Sequence, residues 1–382
     1  FRQNYFLEKF ERVSWWERHQ GKDQILATVL KKNPCFINEP VYAKRLEAEA
    51  DKIAEQYAVG RLIVGGDNRY LSGDLLDFLN CLPVTKTGTS KKANTFINFL
   101  WALELNHQNF FAPGAAYEPG HVCTLLRNPH IARNEEMQLY PLEDSKNLRD
   151  QYLGHLTDVV MVGYTSLAAE RLGGADYDGD MIKTISDPIL NECVKRNIHH
   201  DPPRPRSIFS RSHNLPLLMI PTAQPQIRSA DDWEARFETV RSTFSSRVGQ
   251  ICNAALDRSI IAYNENSDAE ERERCREETE TLAILTGLEI DSAKSGIRPD
   301  LDEYLTHKTV KRSAFLKYKT LVEEAETRRA WYEPTHAARV KAFFKKVDWD
   351  AVDSNVERLP YLAQQLKKNT PRIKAKPAKD EE

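Results

Sequence analysis

The 382-residue chain carries 54 Lys and Arg against 56 Asp and Glu, a formal net charge of −2, which excludes a histone-like basic protein. Apolar residues make up 41% of the sequence, enough for a sizeable core, and the length predicts roughly two to three domains. No run of apolar residues approaches the length of about 18 that a membrane-spanning helix needs. The chain opens at Phe1 without an initiator Met or a signal peptide, so we predict a soluble, cytoplasmic protein cut from a longer polypeptide.

The pattern of apolar residues predicts a helical start followed by short strands. Residues 1–59 are predicted to be helical, with apolar positions at helical intervals in Arg45–Gln56. Between residues 60 and 190 short runs rich in Val, Ile, Leu and Tyr are separated by Gly, Pro, Asn and Asp, which is typical of strands. These runs are residues 121–126, 137–142, 158–164 and 181–185. We predict a small β-barrel with helical insertions such as 91–107.

Beyond the barrel the sequence predicts a linker and then helices. Residues 191–232 include a proline-dense stretch, which indicates a linker or wrapping arm because proline removes a backbone donor and blocks helices. Residues 233–366 form a predicted helical domain with one apolar stripe through Trp233–Tyr263, and residues 367–382 form a charged, disordered tail. The six cysteines contain no CxxC pair, so we expect reduced, mostly buried thiols rather than structural zinc or disulfides.

The segment GGADYDGDM at residues 173–181 has the clearest chemical content. Asp176, Asp178 and Asp180 alternate with other residues, so an extended chain would place them on one face, and Gly179 can adopt φ > 0 and draw their oxygens together. Three clustered carboxylates repel one another, and a divalent cation is the simplest compensation. Hard oxygen ligands favour Mg²⁺ or Mn²⁺.

The same residues allow other interpretations of this motif. A solvated acidic turn stays open, since Asp and Gly are common in turns. An EF-hand is excluded because its loop needs Gly at position six and Glu at position twelve, where this chain has Met181 and Asp187. A haloacid-dehalogenase-like phosphatase also uses a D-x-D-G loop, but an apolar strand normally precedes it, whereas AERLGGA does so here. Tyr177 and Met181 are predicted to lie in the barrel core.

An upstream segment, LLRNPHIARNEEMQL at residues 125–139, supplies a second motif. Together with GGADYDGDM it resembles the double-psi β-barrel of RNA polymerases, including their multi-subunit branch, in which an R-x-P segment precedes a D-x-D-G-D loop. Further segments resemble the single-chain branch, the cell-encoded RNA-dependent RNA polymerases of RNA silencing and related bacterial and phage enzymes. These segments are residues 61–76, 159–183, 248–257 and 289–296. The resemblance spans about 60–300 and implies an α+β fold, a double-psi β-barrel with helical insertions followed by a mainly α-helical region.

The resemblance also implies an activity and a set of site residues. The activity is template-directed RNA synthesis, the Mg²⁺-dependent addition of NTPs to an RNA 3′ end. Asp176, Asp178 and Asp180 would hold the catalytic Mg²⁺, Arg127 would contact the ribose of the incoming nucleotide, and Lys294 would lie near the nucleic acid. The expected partners are a nucleic-acid template, the nascent RNA, NTPs and a second barrel, upstream or in trans, that supplies lysines for the NTP phosphates.

The residues themselves leave other roles open. A surface ion pair is the simplest structural role for Arg127, and any exposed lysine would look like Lys294. Lys86, Lys91 and Lys92 form a basic cluster that is more typical of a solvated face than of a phosphate site. A non-catalytic nucleic-acid-binding barrel and a Mg²⁺-dependent phosphohydrolase remain alternative functions, and the motifs do not distinguish RNA from DNA templates.

Overall fold

The chain divides into two compact units, one formed by Phe1–Leu62 with Arg312–Glu382 and the other by Ile63–Lys311. The computed structural model describes residues 22–81, 105, 108–115, 117, 120–142, 148–164, 166–196, 215–221, 227, 229–306, 310–327 and 333–369. Within these residues, no helix combines the length and the apolar character needed to cross a membrane.

The helices occupy both units. From residue 22 onward they agree with the predicted helical start, and they agree with the predicted helical region after the barrel. In chain order they are α1 Lys22–Lys32, α2 Pro40–Ala58, α3 Leu148–Leu153, α4 Ala168–Arg171, α5 Pro188–Lys195, α6 Trp233–Thr243, α7 Val248–Ala262, α8 Ala269–Ser295, α9 Asp302–Leu305, α10 Ala314–Thr327, α11 Glu333–Lys346 and α12 Leu359–Asn369. In the first unit α2 packs against α12, and α10 packs against α11. In the second unit α7 and α8 pack along each other.

Six strands of the second unit close into a barrel. They are β1 Gly66–Gly73, β2 Asn109–Phe111, β3 Cys123–Arg127, β4 Met137–Pro141, β5 Val159–Val162 and β6 Met181–Ile185. Their order around the barrel is β1-β5-β2-β4-β3-β6. The pairs β1–β5 and β2–β4 are parallel, and the other four pairs are antiparallel. The predicted α+β barrel is confirmed. Strands β3 to β6 coincide with the four predicted runs, and none of them extends more than one residue beyond its run.

The barrel interior is filled by alternate side chains of these strands. Leu125, Val160 and Ile182 are fully buried in one cluster, which also contains residues of the other three strands. Burial of each such side chain contributes about 1.5–3 kcal/mol to the free energy of unfolding. The prediction that Tyr177 and Met181 are core residues is wrong, because they are 53% and 48% exposed. Since side chains alternate along a strand, Met181 points outward when Ile182 points inward, and Tyr177 lies in the turn before the strand.

The predicted single stripe through Trp233–Tyr263 is also wrong. The chain forms two helices there, α6 and α7, and Phe244, between them, is 84% exposed, whereas Ile251 is fully buried. Phe244 ends α6 with a backbone N–H bond to Arg241, and the Ser246 hydroxyl accepts from the Val248 N–H at the start of α7. These local bonds separate the two helices, so their apolar faces are independent.

The cysteines are less buried than predicted. Of the five whose surroundings the structure describes, Cys123 and Cys275 are buried, Cys252 is half-buried, and Cys35 and Cys193 are exposed. All five are free thiols.

Several predictions concern residues outside the described ranges. Lys86, Lys91 and Lys92 lie there, with most of the predicted insertion 91–107 and most of the predicted tail 367–382. Of the predicted linker or arm 191–232, residues 191–196, 215–221, 227 and 229–232 are described. Residues 215–221 lie against the barrel, where the Asn134 side chain donates to the Pro216 carbonyl at 3.1 Å. The predicted domain boundaries stay predictions.

Candidate metal centre

The loop between α4 and β6 brings three carboxylates together, which we call the aspartate triad. Two consecutive glycines, Gly173 and Gly174, open the loop with φ of +68° each, and Gly179 near its end has φ of +129°. L side chains rarely adopt these conformations, so the glycines allow the chain to fold back on itself. One oxygen from each triad residue lies within 4.8 Å of the other two. The triad is Asp176, Asp178 and Asp180.

Asp180 fastens the loop to the barrel. Its side chain is 20% exposed and accepts bonds from Arg127 Nε at 2.9 Å and Arg127 Nη2 at 3.0 Å. It also accepts from the backbone N–H of Asp176 at 2.9 Å, which closes the loop on itself. The backbone carbonyl of Asp180 accepts from the Leu71 N–H in β1 at 2.8 Å. Asp180 is therefore the most enclosed member of the triad.

Arg127 reaches Asp180 because of strand register. It is the last residue of β3 and lies opposite Ile182 of β6, two residues after Asp180. Its third nitrogen, Nη1, donates to the Gly173 carbonyl at 3.1 Å. The structure thus gives Arg127 an ion pair, although this pair is largely buried and not at the surface. Contact between Arg127 and a nucleotide ribose stays a prediction.

Asp176 and Asp178 form the open side of the triad. Asp178 is exposed and Asp176 is half-exposed, and the Asp178 N–H donates to the Asp176 carboxylate at 3.2 Å. A side-chain hydrogen bond between the two carboxyl groups lowers the pKa of Asp176 and raises the pKa of Asp178. Carboxylates bind a divalent cation in their deprotonated form, so cation binding competes with protonation of Asp178.

Lys294 lies beside this open side. It is in the last turn of α8, which ends at Gly296 with φ of +73°. Its Nζ is 3.8 Å from Asp176 Oδ2. Both side chains are substantially exposed, so this ion pair by itself contributes little to stability. The aspartate triad, Arg127 and Lys294, the five site residues predicted from the sequence, thus lie next to one another.

Sequence reasoning missed the pair that holds α8 in position. The Glu289 side chain is fully buried and accepts from Arg247 Nη2 at 2.8 Å and from the Arg247 backbone N–H at 2.9 Å. Burial raises the pKa of Glu289, but the hydrogen bonds from Arg247 more than offset it and lower the pKa overall. Arg247 also donates to the Pro299 carbonyl at 2.8 Å. Only their positions in the sequence could have indicated these two residues. Arg247 directly precedes the segment 248–257 that resembles the single-chain polymerases, and Glu289 begins the similar segment 289–296.

Glu135 is another residue that the sequence analysis did not single out. It is buried and accepts from the backbone N–H groups of Ile131 and Ala132 at 2.9 Å each. Burial raises its pKa, although these hydrogen bonds oppose the change. A Cβ on Gly173 would lie 2.9 Å from the Glu135 carboxylate, so the segment after β3 packs directly on the triad loop.

The donor set of the triad fits a hard divalent cation. All the groups are carboxylate oxygens, which Mg²⁺ and Mn²⁺ prefer, and the open side is accessible to solvent. Oxygens bound to one Mg²⁺ at about 2.1 Å lie at most about 4.2 Å apart. The triad oxygens lie within 4.8 Å of one another, so small side-chain rotations bring them into range.

The chain is similar to known proteins in two comparisons. The family model of RNA-dependent RNA polymerases matches residues 102–339, more than half of the chain. Among solved structures, the RNA-dependent RNA polymerase QDE-1 from Thielavia terrestris is similar at 12% sequence identity and a TM-score of 0.45. That alignment covers 98% of this chain and 39% of the other, so the chain spans about two fifths of the length of that relative. No curated protein matches the sequence.

Proposed function

Because the chain belongs to the family of RNA-dependent RNA polymerases, we propose that it is the catalytic barrel of a template-directed RNA polymerase. The reaction is nucleotidyl transfer, in which the 3′-hydroxyl of the RNA attacks the α-phosphate of an NTP and pyrophosphate leaves. The observation that carries the proposal is the aspartate triad, whose oxygens converge at the start of a strand in a closed barrel.

The triad residues differ in the part they take. Asp176 and Asp178, on the open side, are the groups that a cation reaches first. Asp180, tied to Arg127 and to the loop backbone, fixes the position of the third ligand. Bound Mg²⁺ would activate the 3′-hydroxyl and stabilise the charge that develops on the pyrophosphate. Mg²⁺ is the proposed ion, since the donor set supports any small hard divalent cation.

Arg127 and Lys294 are the proposed substrate-binding residues. The fixed donors of a guanidinium suit a pair of ribose hydroxyls, and Arg127 lies at the edge of the triad. Lys294 Nζ, 3.8 Å from Asp176, adds a positive charge beside the place where phosphate oxygens would approach the cation. Lys294 gives up its contact with Asp176 when substrate and cation bind, whereas Arg127 keeps its bonds to Asp180 and has further N–H groups on Nη1 and Nη2 for the ribose.

The partners follow from the reaction and from the family. They are a template strand, a nascent RNA and NTPs, together with a second barrel that supplies lysines for the NTP phosphates. This second barrel belongs either to the same polypeptide or to another. Lys294 alone offers too little positive charge for a triphosphate of about four negative charges, which supports the need for further cations.

The test is an analysis of products. The chain is incubated with Mg²⁺, a labelled RNA primer on an RNA or DNA template, and NTPs, alone and together with a separately produced second barrel of this family. The proposal predicts primer extension with release of one pyrophosphate per nucleotide when the second barrel is present. Release of inorganic phosphate would show a phosphohydrolase, and RNA binding without either product would show a non-catalytic barrel. Robust extension by the chain alone would contradict only the need for a second barrel.

A further inference from the structure

Ile220, in the described part of the proline-dense arm, lies between the triad loop and α8. A Cβ on Gly287 of α8 would lie 2.7 Å from Cγ1 of Ile220 and still closer to its Cδ1. On the other side, a Cβ on Gly174 would lie 2.8 Å from the same Cδ1. Ordinary contacts of a Cβ are 3.4–4 Å. Each glycine therefore leaves the space that the Ile220 side chain fills.

The position of Ile220 is fixed from the barrel side. Four residues earlier in the arm, the Pro216 carbonyl accepts from the Asn134 side chain at 3.1 Å, and Asn134 is buried in the segment that follows β3. Adjacent in sequence, Glu135 lies against Gly173 of the triad loop. The arm and the triad loop are therefore both held by the segment that follows β3.

The face of α8 that meets Ile220 is the face that carries Lys294. Gly287 and Lys294 are seven residues apart, so they lie on the same side of the helix, about 10 Å apart along its axis. The helix thus meets the triad loop at two places. Lys294 contacts Asp176 directly, and Gly287 contacts the loop at Gly174 through Ile220.

We propose that Ile220 is a positioning residue that sets the separation between the triad loop and α8. It thereby fixes the distance from Lys294 to Asp176 and the orientation of the carboxylates toward a divalent cation. Truncation of this side chain leaves a void between two glycines, which have no side chains with which to fill it. The loop and the helix then move relative to each other, and the ligand geometry changes. This inference rests on the proposed function in one respect, that the triad binds a cation.

The experiment measures Mn²⁺ binding by the purified 382-residue chain, from the electron paramagnetic resonance signal of free Mn²⁺, well below the thermal unfolding midpoint. Ile220→Ala is expected to weaken Mn²⁺ binding about tenfold, as changes of residues behind metal ligands do. Ile220→Leu keeps the side-chain volume and should bind within about threefold of wild type. Met219→Ala is the matched control, since Met219 is the neighbouring residue in the arm and 67% exposed.

A second pair of variants tests the contact from the helix side. Gly287→Ala is expected to weaken Mn²⁺ binding because the added methyl group collides with Ile220. Ile220→Ala in the Gly287→Ala background should recover part of the affinity, because it removes the collision. If Ile220→Ala does not yield folded protein, Gly287→Ala alone decides, and an unchanged Mn²⁺ affinity in that variant overturns the proposal.

The outcomes separate this inference from the function on which it rests. If Ile220→Ala lowers the unfolding midpoint but binds Mn²⁺ like wild type, Ile220 has only a structural role and the inference is wrong. If wild type does not bind Mn²⁺, or binds it equally well after Asp178→Ala, the proposed function fails and the inference fails with it. Loss of affinity in Ile220→Ala, with Asp178-dependent binding in wild type, supports both.

Discussion

Replacing Arg127 with methionine tests how the triad loop is attached to the barrel. Arg127 makes two bonds to Asp180, at 2.9 and 3.0 Å, and one to the Gly173 carbonyl at 3.1 Å. Methionine keeps much of the side-chain volume but supplies none of these donors. Asp180 then keeps the Asp176 N–H but loses its counter-charge.

The expected loss of stability follows from the burial of the pair. At an effective dielectric constant of about 20, two unit charges about 3 Å apart attract by about 5 kcal/mol. Desolvation offsets roughly half of this, and hydrogen bonds to charged groups contribute about 1.5–3 kcal/mol net. The Arg127 and Asp180 side chains are only 16% and 20% exposed, so solvent screening is modest. We expect Arg127→Met to lower the free energy of unfolding by about 2–3 kcal/mol.

Thermal unfolding followed by circular dichroism measures this change. At about 2–4 °C per kcal/mol for a unit of this size, the midpoint should fall by about 5–10 °C. Saturating Mn²⁺ should narrow the difference, because the cation replaces the lost counter-charge and binds only the folded chain. The control is Arg274→Met, which breaks the ion pairs of Arg274 with Glu271 and Glu278 on α8. It should shift the midpoint by less than about 2 °C, because Arg274 is substantially exposed and Glu278 keeps its ion pair with Arg258. A midpoint of Arg127→Met equal to that of the control would refute the attachment of the loop through Asp180.

Three further predictions concern stability. Arg149→Met leaves Asp74 charged in a fully buried site and should cost about 3 kcal/mol in urea unfolding; a cost below 1 kcal/mol would contradict the buried pair. Gly179 and Gly249, in α7, both have free space around them, but only Gly179 has a positive φ. Gly179→Ala should therefore lower the free energy of unfolding by about 1–2 kcal/mol, and Gly249→Ala should not lower it. Burial raises the pKa of Tyr117 from 10.0 to about 12. The free energy of unfolding should therefore fall as the pH rises from 10 to about 12, where the unfolded chain loses this proton and the folded chain keeps it. In Tyr117→Phe the free energy of unfolding should fall less steeply over this pH range.

The sequence predicted the barrel where local pattern and tertiary environment agree. Strands β3, β4, β5 and β6 were found because their side chains are rich in Val, Ile, Leu and Tyr and are bounded by turn residues. The pattern misled within β6, whose outward residues are Met181 and Lys183 and whose inward residues include Thr184. Thr184 is fully buried, and its hydroxyl pairs with that of Tyr117 at 2.6 Å, a partner that the local pattern cannot show.

The site was predictable for a different reason. The triad is local in sequence, so its spacing alone indicated convergence, and the glycines at 173, 174 and 179 supply the backbone freedom that the convergence needs. The attachments of the loop are not local. Arg127 meets Asp180 through strand register, and Ile220 meets α8 through a contact between segments 67 residues apart in sequence. No periodicity or motif records such contacts.

The most direct test of the account is primer extension with and without one carboxylate of the triad. Wild type and Asp178→Ala are each combined with the second barrel, Mg²⁺, NTPs and a labelled RNA primer on its template. Asp178 is exposed, and among the described residues its side chain forms hydrogen bonds only within the triad, so the variant should stay folded, as its thermal midpoint will show. Wild type should extend the primer and Asp178→Ala should not, at equal template binding. Equal extension by both proteins would show that the triad is not the catalytic centre.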